Sequence, residues 1–382
     1  MAALNRKGLA ALRAVLQMHV DGQRIPGAVV VVGLGGNVEV MEAFGRRDSA
    51  AGSPMQPDSI FRAYSMTKPL VSLAALMLAE EGKLQLVDPV AKYLPEFAAR
   101  QVSVEEGGAV RQEPVRREPT VHDLLRHTAG LTYEFLGSSA VQRQYESVQI
   151  TDRSRSNAEF CRVLAALPLA HQPGSCWMYS RATDVLGAVL EVAGGQSLGE
   201  LLHGLILGPL GMKDTGFSVP QGQWHRIAQA FANDPDTGRP VTMLDPREIP
   251  RFESGGGGLM TTAPDYIRFL QLMRNLGRFE GARLVSRKTI EWMTSDHLGA
   301  IPVLGDLLPP GHGFGLGFAV RTRRGVAPQP GSPGMYFWSG IGGTSFFIDP
   351  TEDMFAMLLT QAPNQRIFYR NMFRHLAYAA LD

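Results

Sequence analysis

The spacing of apolar residues changes twice along the chain. Near the N-terminus, apolar residues repeat at helical spacing, and an apolar run at 28–33 is followed by a Gly-Gly-Asn turn and an alternating run at 38–45. This pattern predicts an amphipathic helix and then a β-hairpin. From about 58 to 294 helical patterns dominate, with helices expected at 69–80, 157–167, 182–193, 198–211 and 263–270. Strand patterns return at 315–321, 335–338, 344–349 and 354–360, before a last helix at 364–381.

Strand patterns at both ends of the chain, with helical patterns between them, predict an α+β fold. We expect one antiparallel sheet built from both chain ends, flanked by the terminal helices, with a mainly helical region inserted. The expected boundaries give an α/β sheet domain of residues 1–90 and 255–382 and a helical domain of residues 91–254, and we expect the functional site between the two. Segments 46–57 and 96–119 are polar and irregular, and we expect loops there.

Composition narrows the class of protein. Of the 382 residues, 45% are hydrophobic and 19% are charged, which is usual for a soluble globular protein. The net charge of +1 does not favour nucleic acid or an anionic membrane as a partner. No apolar run reaches membrane-spanning length, and Arg13 interrupts the apolar residues near the N-terminus. We therefore expect a folded first helix in place of a signal peptide, and a cytoplasmic protein, monomer or homo-oligomer.

Neither a metal nor a nucleotide cofactor is expected. Cys161 and Cys176 do not form a C-x-x-C pair, and His122 and His127 lack the H-E-x-x-H spacing of a zinc site. The glycine-rich run at 255–258 lacks the strand–turn–helix context of a nucleotide-binding loop.

An S-x-x-K motif at 65–68 places a hydroxyl and an amine three residues apart. An apolar run of helical length begins at Pro69, and proline is tolerated in a first helical turn, so the helix should begin near 66–68. Lys68 then leans over Ser65, whose hydroxyl lies at a helix N-terminus, where free N–H groups favour negative charge. The same spacing also arises by chance, with the serine as a cap and the lysine on a solvated face.

A second serine competes for the role of nucleophile. Ser197 lies in G-x-S-x-G, the pattern of the nucleophile elbow of α/β-hydrolases. That elbow needs a buried strand before the serine, whereas residues 184–193 have helical spacing. Glu200 follows Ser197 by three residues, as in a capping box, so we interpret Ser197 as a helix cap.

Tyr179 is a candidate base. A tyrosine has a free pKa of about 10, so it needs nearby cations to act at neutral pH, and Lys68 and Arg181 are candidates for them. The alternative is an ordinary half-buried aromatic residue. The segment 132–150 is either a cap over a site, with Tyr133 as a substrate-binding residue, or a surface loop.

Three motifs carry a family resemblance. S-x-x-K at 65–68, Tyr-Ser-Arg at 179–181 and Trp-Ser-Gly at 338–340 occur in the order and approximate spacing of the serine β-lactamase and penicillin-binding protein superfamily. The run Leu-Leu-Arg-His-Thr-Ala-Gly-Leu at 124–131 resembles that superfamily's L-L-x-H-T-S-G-L, and three further segments also fit, at 208–212, 254–262 and 342–350. The resemblance covers nearly the whole chain and implies an α/β sandwich of the β-lactamase/transpeptidase type.

Two departures from the superfamily pattern change the expected substrate. Class C β-lactamases have Tyr-x-Asn where this chain has Arg181, and Lys-Thr-Gly where it has Trp338 and Gly340 at the outer positions. The change from lysine to tryptophan replaces a cation with an apolar, stacking surface. The combination is similar to the family VIII carboxylesterases, which hydrolyse esters on the β-lactamase fold.

The resemblance implies a role for each matching residue. Ser65 is the nucleophile, Lys68 and Tyr179 together take its proton, and either of the two is the principal base. The oxyanion hole is formed by the backbone N–H groups of Ser65 and Ile341. The implied substrate-binding residues are Trp338, Gly340, Arg181 and Tyr133.

The expected activity is that of a serine carboxylesterase acting on short-chain or compact esters through an acyl-enzyme, with a small-molecule ester as partner and no cofactor. Weak β-lactam hydrolysis is compatible with the resemblance. The alternatives are a β-lactamase, a D-amino-acid peptidase or an acyltransferase on the same scaffold, and a non-enzymatic scaffold or peptidoglycan-sensing module. The intact Ser65, Lys68 and Tyr179 argue against the last of these.

Overall fold

The computed structural model describes residues 3–382, so residues 1 and 2 of the expected first segment lie outside it. The helices are α1 (Arg6–Asp21), α2 (Thr67–Glu80), α3 (Val121–Leu125), α4 (Ala140–Ser147), α5 (Asn157–Ala165), α6 (Ala182–Gly194), α7 (Leu198–Leu202), α8 (Gly208–Leu210), α9 (Ala263–Arg274), α10 (Arg287–Met293) and α11 (Arg366–Ala379). The strands are β1 (Gly27–Leu34), β2 (Asn37–Asp48), β3 (Ser53–Pro54), β4 (Phe61–Arg62), β5 (Gln101–Glu106), β6 (Ala109–Pro114), β7 (Met260–Thr261), β8 (Arg278–Phe279), β9 (Ala282–Arg283), β10 (His312–Phe314), β11 (Ala319–Arg321), β12 (Tyr336–Ser339), β13 (Ser345–Asp349) and β14 (Met354–Thr360).

Strands from both chain ends form one antiparallel sheet in the order β10-β11-β12-β13-β14-β1-β2-β3. The N-terminal strand β1 pairs with β2 in the expected hairpin and with the C-terminal strand β14 on its other side. Every residue of β14 is buried, and β1 is buried over all but its last residue. The two chain ends therefore meet at the centre of the sheet, and the predicted α+β fold is confirmed.

Helices cover both faces of this sheet. Phe346 of β13 contacts Tyr266 of α9, and its neighbour Phe347 stacks on Tyr378 of α11. Because successive side chains of a strand point to opposite faces, α9 and α11 lie on opposite sides of the sheet. Helix α1 packs beside α11, as expected for the terminal helices.

The expected division into a sheet domain and an inserted helical domain stays a prediction. Helices α3 to α8 lie within residues 91–254, and α6 packs against α2, α3, α5 and α7. Helix α2, which the sequence assigns to the sheet domain, therefore packs against helices of the expected helical domain.

Three segments differ from the expected pattern. The predicted loop at 96–119 contains the hairpin β5–β6, which turns at Gly107 and Gly108 with positive φ angles. Most residues of these two strands are exposed or half-buried, so they have no alternating apolar face by which to recognise them. The single strand predicted at 315–321 is instead the end of a hairpin, since a turn at 315–318 separates β10 from β11. The predicted loop at 46–57 is partly strand, because β2 extends to Asp48 and β3 pairs with it.

Within residues 3–382, no single helix is long and apolar enough to cross a membrane. One bent pair meets the criteria of length and composition together, namely Ala182–Gly194 with Leu198–Leu210, at an angle of 78°.

Candidate active site

Ser65 lies in a single 3-10 turn, Tyr64–Met66, that leads directly into α2, so the helix begins where the sequence predicts. Residues 67–78 of α2 are all buried, and the core therefore holds the end of the helix in place. Tyr64 has a φ of 47°, a conformation that is uncommon for a residue other than glycine. Its Oη accepts a hydrogen bond of 3.0 Å from the backbone N–H of Leu244. Backbone strain of this kind is often retained at functional sites.

The Oγ of Ser65 contacts two other polar side chains. Tyr179 Oη donates a hydrogen bond to it at 2.6 Å, and Lys68 Nζ donates another at 3.3 Å. Lys68 is fully buried and also donates to Tyr133 Oη at 3.0 Å and to the carbonyl oxygen of Gly256 at 2.6 Å. The three donors of an ammonium group thus each have an acceptor. The structure brings together the serine, lysine and tyrosine that the sequence predicts.

The phenol of Tyr179 is held between aromatic neighbours. Trp338 Nε1 donates a hydrogen bond of 3.4 Å to Tyr179 Oη, and the ring of His127 lies 4.9 Å from that of Tyr179, centroid to centroid. His127 Nδ1 lies 3.1 Å from Ser180 Oγ. Burial, together with the charge of Lys68, lowers the pKa of His127 well below its ordinary value, so the imidazole is neutral. The sequence places this histidine in the motif at 124–131 but does not indicate its contact with Tyr179.

Arg181 is close to the site but is paired with carboxylates. Its Nη2 lies 2.5 Å from Glu134 Oε1, its Nη1 lies 3.4 Å from Asp184 Oδ2, and its guanidinium lies 4.7 Å from the ring centroid of Tyr133. Burial alone lowers the pKa of Arg181, but Asp184, Tyr133 and Glu134 outweigh burial and raise it. The charge of Arg181 is therefore matched by these carboxylates, and nothing in the sequence pattern singles out Glu134 as one of them.

Tyr133 begins the segment 132–150, whose role the sequence leaves open. It is buried, and burial, with the neighbouring Tyr179 and Asp184, raises its pKa well above its ordinary value, so it remains a neutral phenol. Residues 133–136 line the cavity at Ser65, and α4 follows them. The start of this segment is thus a wall of the cavity.

The cavity at Ser65 has a volume of about 650 Å³ and is lined by Trp338 and Ile341 among other residues. Between these two, Gly340 approaches the segment that carries the serine. A Cβ atom at Gly340 would lie 2.4 Å from the carbonyl oxygen of Ala63 and 2.4 Å from Thr344 Oγ1. Only glycine lets the end of β12 pass so close to the segment that carries Ser65. Ile341, the next residue, is 39% exposed.

Ser197 has the structural role that the sequence predicts. Its side chain accepts a hydrogen bond from the backbone N–H of Glu200, whose carboxylate in turn accepts from the backbone N–H of Ser197. Helix α6, not a strand, precedes it. Ser197 is thus a helix cap, and the nucleophile-elbow interpretation is wrong.

The hydrogen bonds of Ser65 to a lysine and a tyrosine, at the start of a buried helix and beside a cavity, are those of a serine hydrolase that activates its nucleophile without histidine. The family model described as Beta-lactamase matches residues 12–379, and the chain belongs to that family.

Three proteins of known name or structure are similar to this chain. Esterase EstB of Burkholderia gladioli is 35% identical over 384 residues, which cover 94% of this chain and 92% of that protein. The structure of EstCE1, described as a hydrolase with promiscuous acyltransferase activity, superposes with a TM-score of 0.80 at 28% identity and covers 98% of both chains. Simvastatin synthase (LovD) from Aspergillus terreus superposes with a TM-score of 0.81 at 24% identity, covering 98% of this chain and 99% of its own, and supports the fold alone. The expected β-lactamase/transpeptidase fold is confirmed.

Proposed function

We propose that this chain is a serine carboxylesterase that hydrolyses short-chain or compact carboxylic esters through an acyl-enzyme on Ser65. The observation that carries the proposal is the pair of hydrogen bonds at Ser65 Oγ, 2.6 Å from Tyr179 Oη and 3.3 Å from Lys68 Nζ. The similarity to Esterase EstB over nearly the whole chain supports esters as the substrates.

In the acylation step Tyr179 acts in its phenolate form, which accepts a hydrogen bond from Ser65 Oγ. Ser65 Oγ forms a bond to the ester carbonyl carbon while its proton passes to the phenolate oxygen of Tyr179. An ammonium has no lone pair with which to take that proton, and three acceptors lie within reach of Lys68 Nζ to match its three donors. We assign Lys68 the role of a fixed positive charge, 4.6 Å from the ring centroid of Tyr179, and Tyr179 the role of base. The backbone N–H groups of Ser65 and Ile341 would bind the oxyanion.

Collapse of the tetrahedral intermediate breaks the bond between the carbonyl carbon and the alcohol oxygen, which receives the proton from Tyr179. A water molecule then attacks the acyl-enzyme, Tyr179 accepts a proton from that water, and Ser65 Oγ leaves with the same proton. The carboxylic acid is released and the starting state of Tyr179 and Ser65 is restored.

The wall next to Ser65 supports a compact substrate. Trp338 and Tyr133 give it an aromatic surface, and Gly340 brings the end of β12 close to the nucleophile. Arg181 lines the cavity, and its charge is matched by Glu134 and Asp184. It would therefore contribute to substrate binding mainly through the shape of the cavity wall.

Two serine variants and one substrate panel test the proposal. p-Nitrophenyl esters of increasing chain length are measured beside nitrocefin, with Ser65→Ala and the matched control Ser197→Ala. We expect ester hydrolysis to fall about a thousandfold or more in Ser65→Ala, and to stay near the parent rate in Ser197→Ala. Full activity of Ser65→Ala would refute the assignment, and hydrolysis of nitrocefin faster than any ester would favour a β-lactamase.

An acyltransferase is the second candidate, favoured by the similarity to EstCE1, a hydrolase described as having promiscuous acyltransferase activity. Both activities share the acyl-enzyme and differ in the acceptor, water or an alcohol. Added short alcohols would divert the acyl group to a new ester if transfer competes, and the ratio of acid to ester measures the partition. A product that is free acid at every alcohol concentration excludes the transferase.

A further inference from the structure

Helix α11 brings a row of arginines to the cavity that contains Ser65. Arg366, Arg370 and Arg374 are spaced four residues apart and therefore share one face of the helix. All three line the cavity, and α11 contains no aspartate or glutamate. One wall of the active-site cavity is thus strongly positive, although the chain as a whole is nearly neutral.

Two of these arginines have no counter-ion within the described residues 3–382. Arg374 is 4% exposed, and neither its side chain nor that of Arg370 forms an ion pair or donates a hydrogen bond to another of these residues. The Arg374 guanidinium lies 4.2 Å from the ring centroid of Phe337, which holds it by a cation–π contact. Burial, with the charges of neighbouring arginines, lowers the pKa of Arg370 to about 10, and burial lowers that of Arg374 to about 10, so both are charged at neutral pH.

The carboxylates that line the cavity do not neutralise this row. Glu134 is bound to Arg181, and Asp306 is exposed. A buried charge without a partner costs several kcal/mol, and such an arrangement is more often found at a binding site than in a structural core. A guanidinium offers planar pairs of N–H donors that match a carboxylate, which makes an anionic group the fitting occupant.

We propose that Arg370 and Arg374 bind a carboxylate of the substrate, so that the hydrolysed ester also carries a free carboxylate group. The substrate class is then the monoesters of short dicarboxylic acids or the esters of short hydroxy acids. This proposal rests on the proposed esterase function, and it adds an anionic group to the compact ester. The aromatic wall at Trp338 faces the reacting ester, while α11 receives the charged end.

The kinetic test compares charged and neutral esters at constant ionic strength, because salt screens such interactions. p-Nitrophenyl monoesters of succinic, glutaric and adipic acids place the carboxylate on the acyl side, a butyryl ester of glycolic acid places it on the alcohol side, and p-nitrophenyl pentanoate and ethyl butyrate are the neutral counterparts. We expect kcat/KM of the best charged ester to exceed that of its neutral counterpart at least tenfold. A preference in the acyl-side series or in the alcohol-side series identifies the side of the ester that carries the carboxylate. Equal kcat/KM for charged and neutral esters in both series would overturn the proposal.

Variants assign the preference to α11. Arg370→Gln and Arg374→Gln should each reduce the ratio of charged-ester to neutral-ester kcat/KM at least tenfold, Arg374→Lys should retain part of it, and the exposed control Arg324→Gln should leave it unchanged. Arg374 also packs on Phe337, so thermal unfolding is measured for every variant. A lower melting temperature with equal losses for both kinds of ester would mean a purely structural role and would refute the proposal.

Calorimetric titration of the parent protein with glutarate measures binding to the proposed carboxylate site independently of ester hydrolysis. Neutral glutaramide is the control. We expect glutarate to bind, glutaramide not to bind, and Arg370→Gln to weaken glutarate binding at least tenfold. Glutarate binding without hydrolysis of any ester would mean that the proposed function fails while the carboxylate site stands. Ester hydrolysis with no charge preference and no glutarate binding would mean that the proposed function stands while the carboxylate site fails.

Discussion

Trp338 Nε1 donates a hydrogen bond of 3.4 Å to Tyr179 Oη, the same oxygen that contacts Ser65. The two residues come from strand β12 and from the segment just before α6, so the contact joins a strand of the main sheet to the start of a helix far away in the sequence. At this position the resemblance implies only an apolar wall. The indole N–H adds a donor that holds the phenol oxygen of Tyr179 in position beside Ser65.

Trp338→Phe tests this contact, because phenylalanine keeps an aromatic wall and removes the N–H donor. We expect kcat for p-nitrophenyl butyrate to fall roughly tenfold, since the hydrogen bond positions the base and such a bond contributes on the order of 1.5 kcal/mol. The melting temperature should change little. The control is Trp292→Phe, on the half-exposed face of α10, which should retain the parent kcat. A Trp338→Phe enzyme as fast as the parent would show that the contact has no role in the reaction.

Gly340→Ala tests the close approach of β12 to the nucleophile segment. The added Cβ would meet the carbonyl oxygen of Ala63 and Thr344 Oγ1 at 2.4 Å, so the strand must move away from Ser65. We expect a loss of about 1–3 kcal/mol of stability and a drop in kcat of at least tenfold, because the backbone N–H of Ile341, one of the two proposed oxyanion-hole donors, moves with the strand. Urea unfolding and ester kinetics measure the two effects.

Gly222→Ala is the matched control for Gly340→Ala, since a Cβ at Gly222 meets no atom within 4 Å. It should leave both the free energy of unfolding and kcat unchanged. If Gly340→Ala behaves like this control, the close packing at the end of β12 is not needed for the activity.

The nucleophile segment and the outline of the fold can be predicted because their signals are local. Pro69 and the apolar run after it determine where α2 begins, and Glu200 following Ser197 identifies a cap. Strands β1, β12, β13 and β14 of the main sheet are recognisable because they are buried and bounded by turns. The order of motifs along the chain then identifies Tyr179 as the third member of the site.

The remaining features depend on contacts between distant segments. Glu134 pairs with Arg181 across 47 positions of sequence, and no spacing rule connects two such residues. The arginines of α11 show helical periodicity in the sequence, but periodicity does not tell which face of a helix meets a cavity. The hairpin of residues 101–114 pairs by backbone hydrogen bonds and lacks an apolar face, so hydrophobic patterning does not detect it.

Arg181→Met tests whether the buried ion pairs at the cavity wall stabilise the fold. The change leaves the carboxylates of Glu134 and Asp184 without their cation, and both are largely buried. Removal of one partner of a buried pair costs about 3–5 kcal/mol, so we expect a loss of that size in the free energy of unfolding by urea.

The control for Arg181→Met is Arg247→Met, which breaks an ion pair of 2.6 Å with Asp245 on the surface. The Arg247 side chain is 55% exposed, and exposed pairs contribute about 0–1 kcal/mol. Equal losses in the two variants would mean that the pairs at Arg181 are no stronger than a surface pair.

Glu191 makes the stability of the fold depend on pH. Its Oε1 accepts hydrogen bonds from Asn157 Nδ2 at 2.9 Å and from the backbone N–H of Leu198 at 3.1 Å. Burial, with the nearby charge of Glu253, raises the pKa of Glu191 from 4.5 to about 7. The folded state thus holds a proton that the unfolded state releases between about pH 4.5 and 7. By linkage, this group lowers the free energy of unfolding as the pH rises through that window.

Glu191→Gln removes this dependence, because glutamine keeps an acceptor oxygen and does not ionise. At pH 8 we expect the variant to be more stable than the parent by on the order of 1 kcal/mol, after allowance for screening by solvent, and near pH 4 the two should be equal. Urea unfolding from pH 4 to 8 measures the difference, and the exposed Glu146→Gln serves as control, with no change expected. A gain in Glu191→Gln that is the same at every pH would show that the removed charge is not its cause.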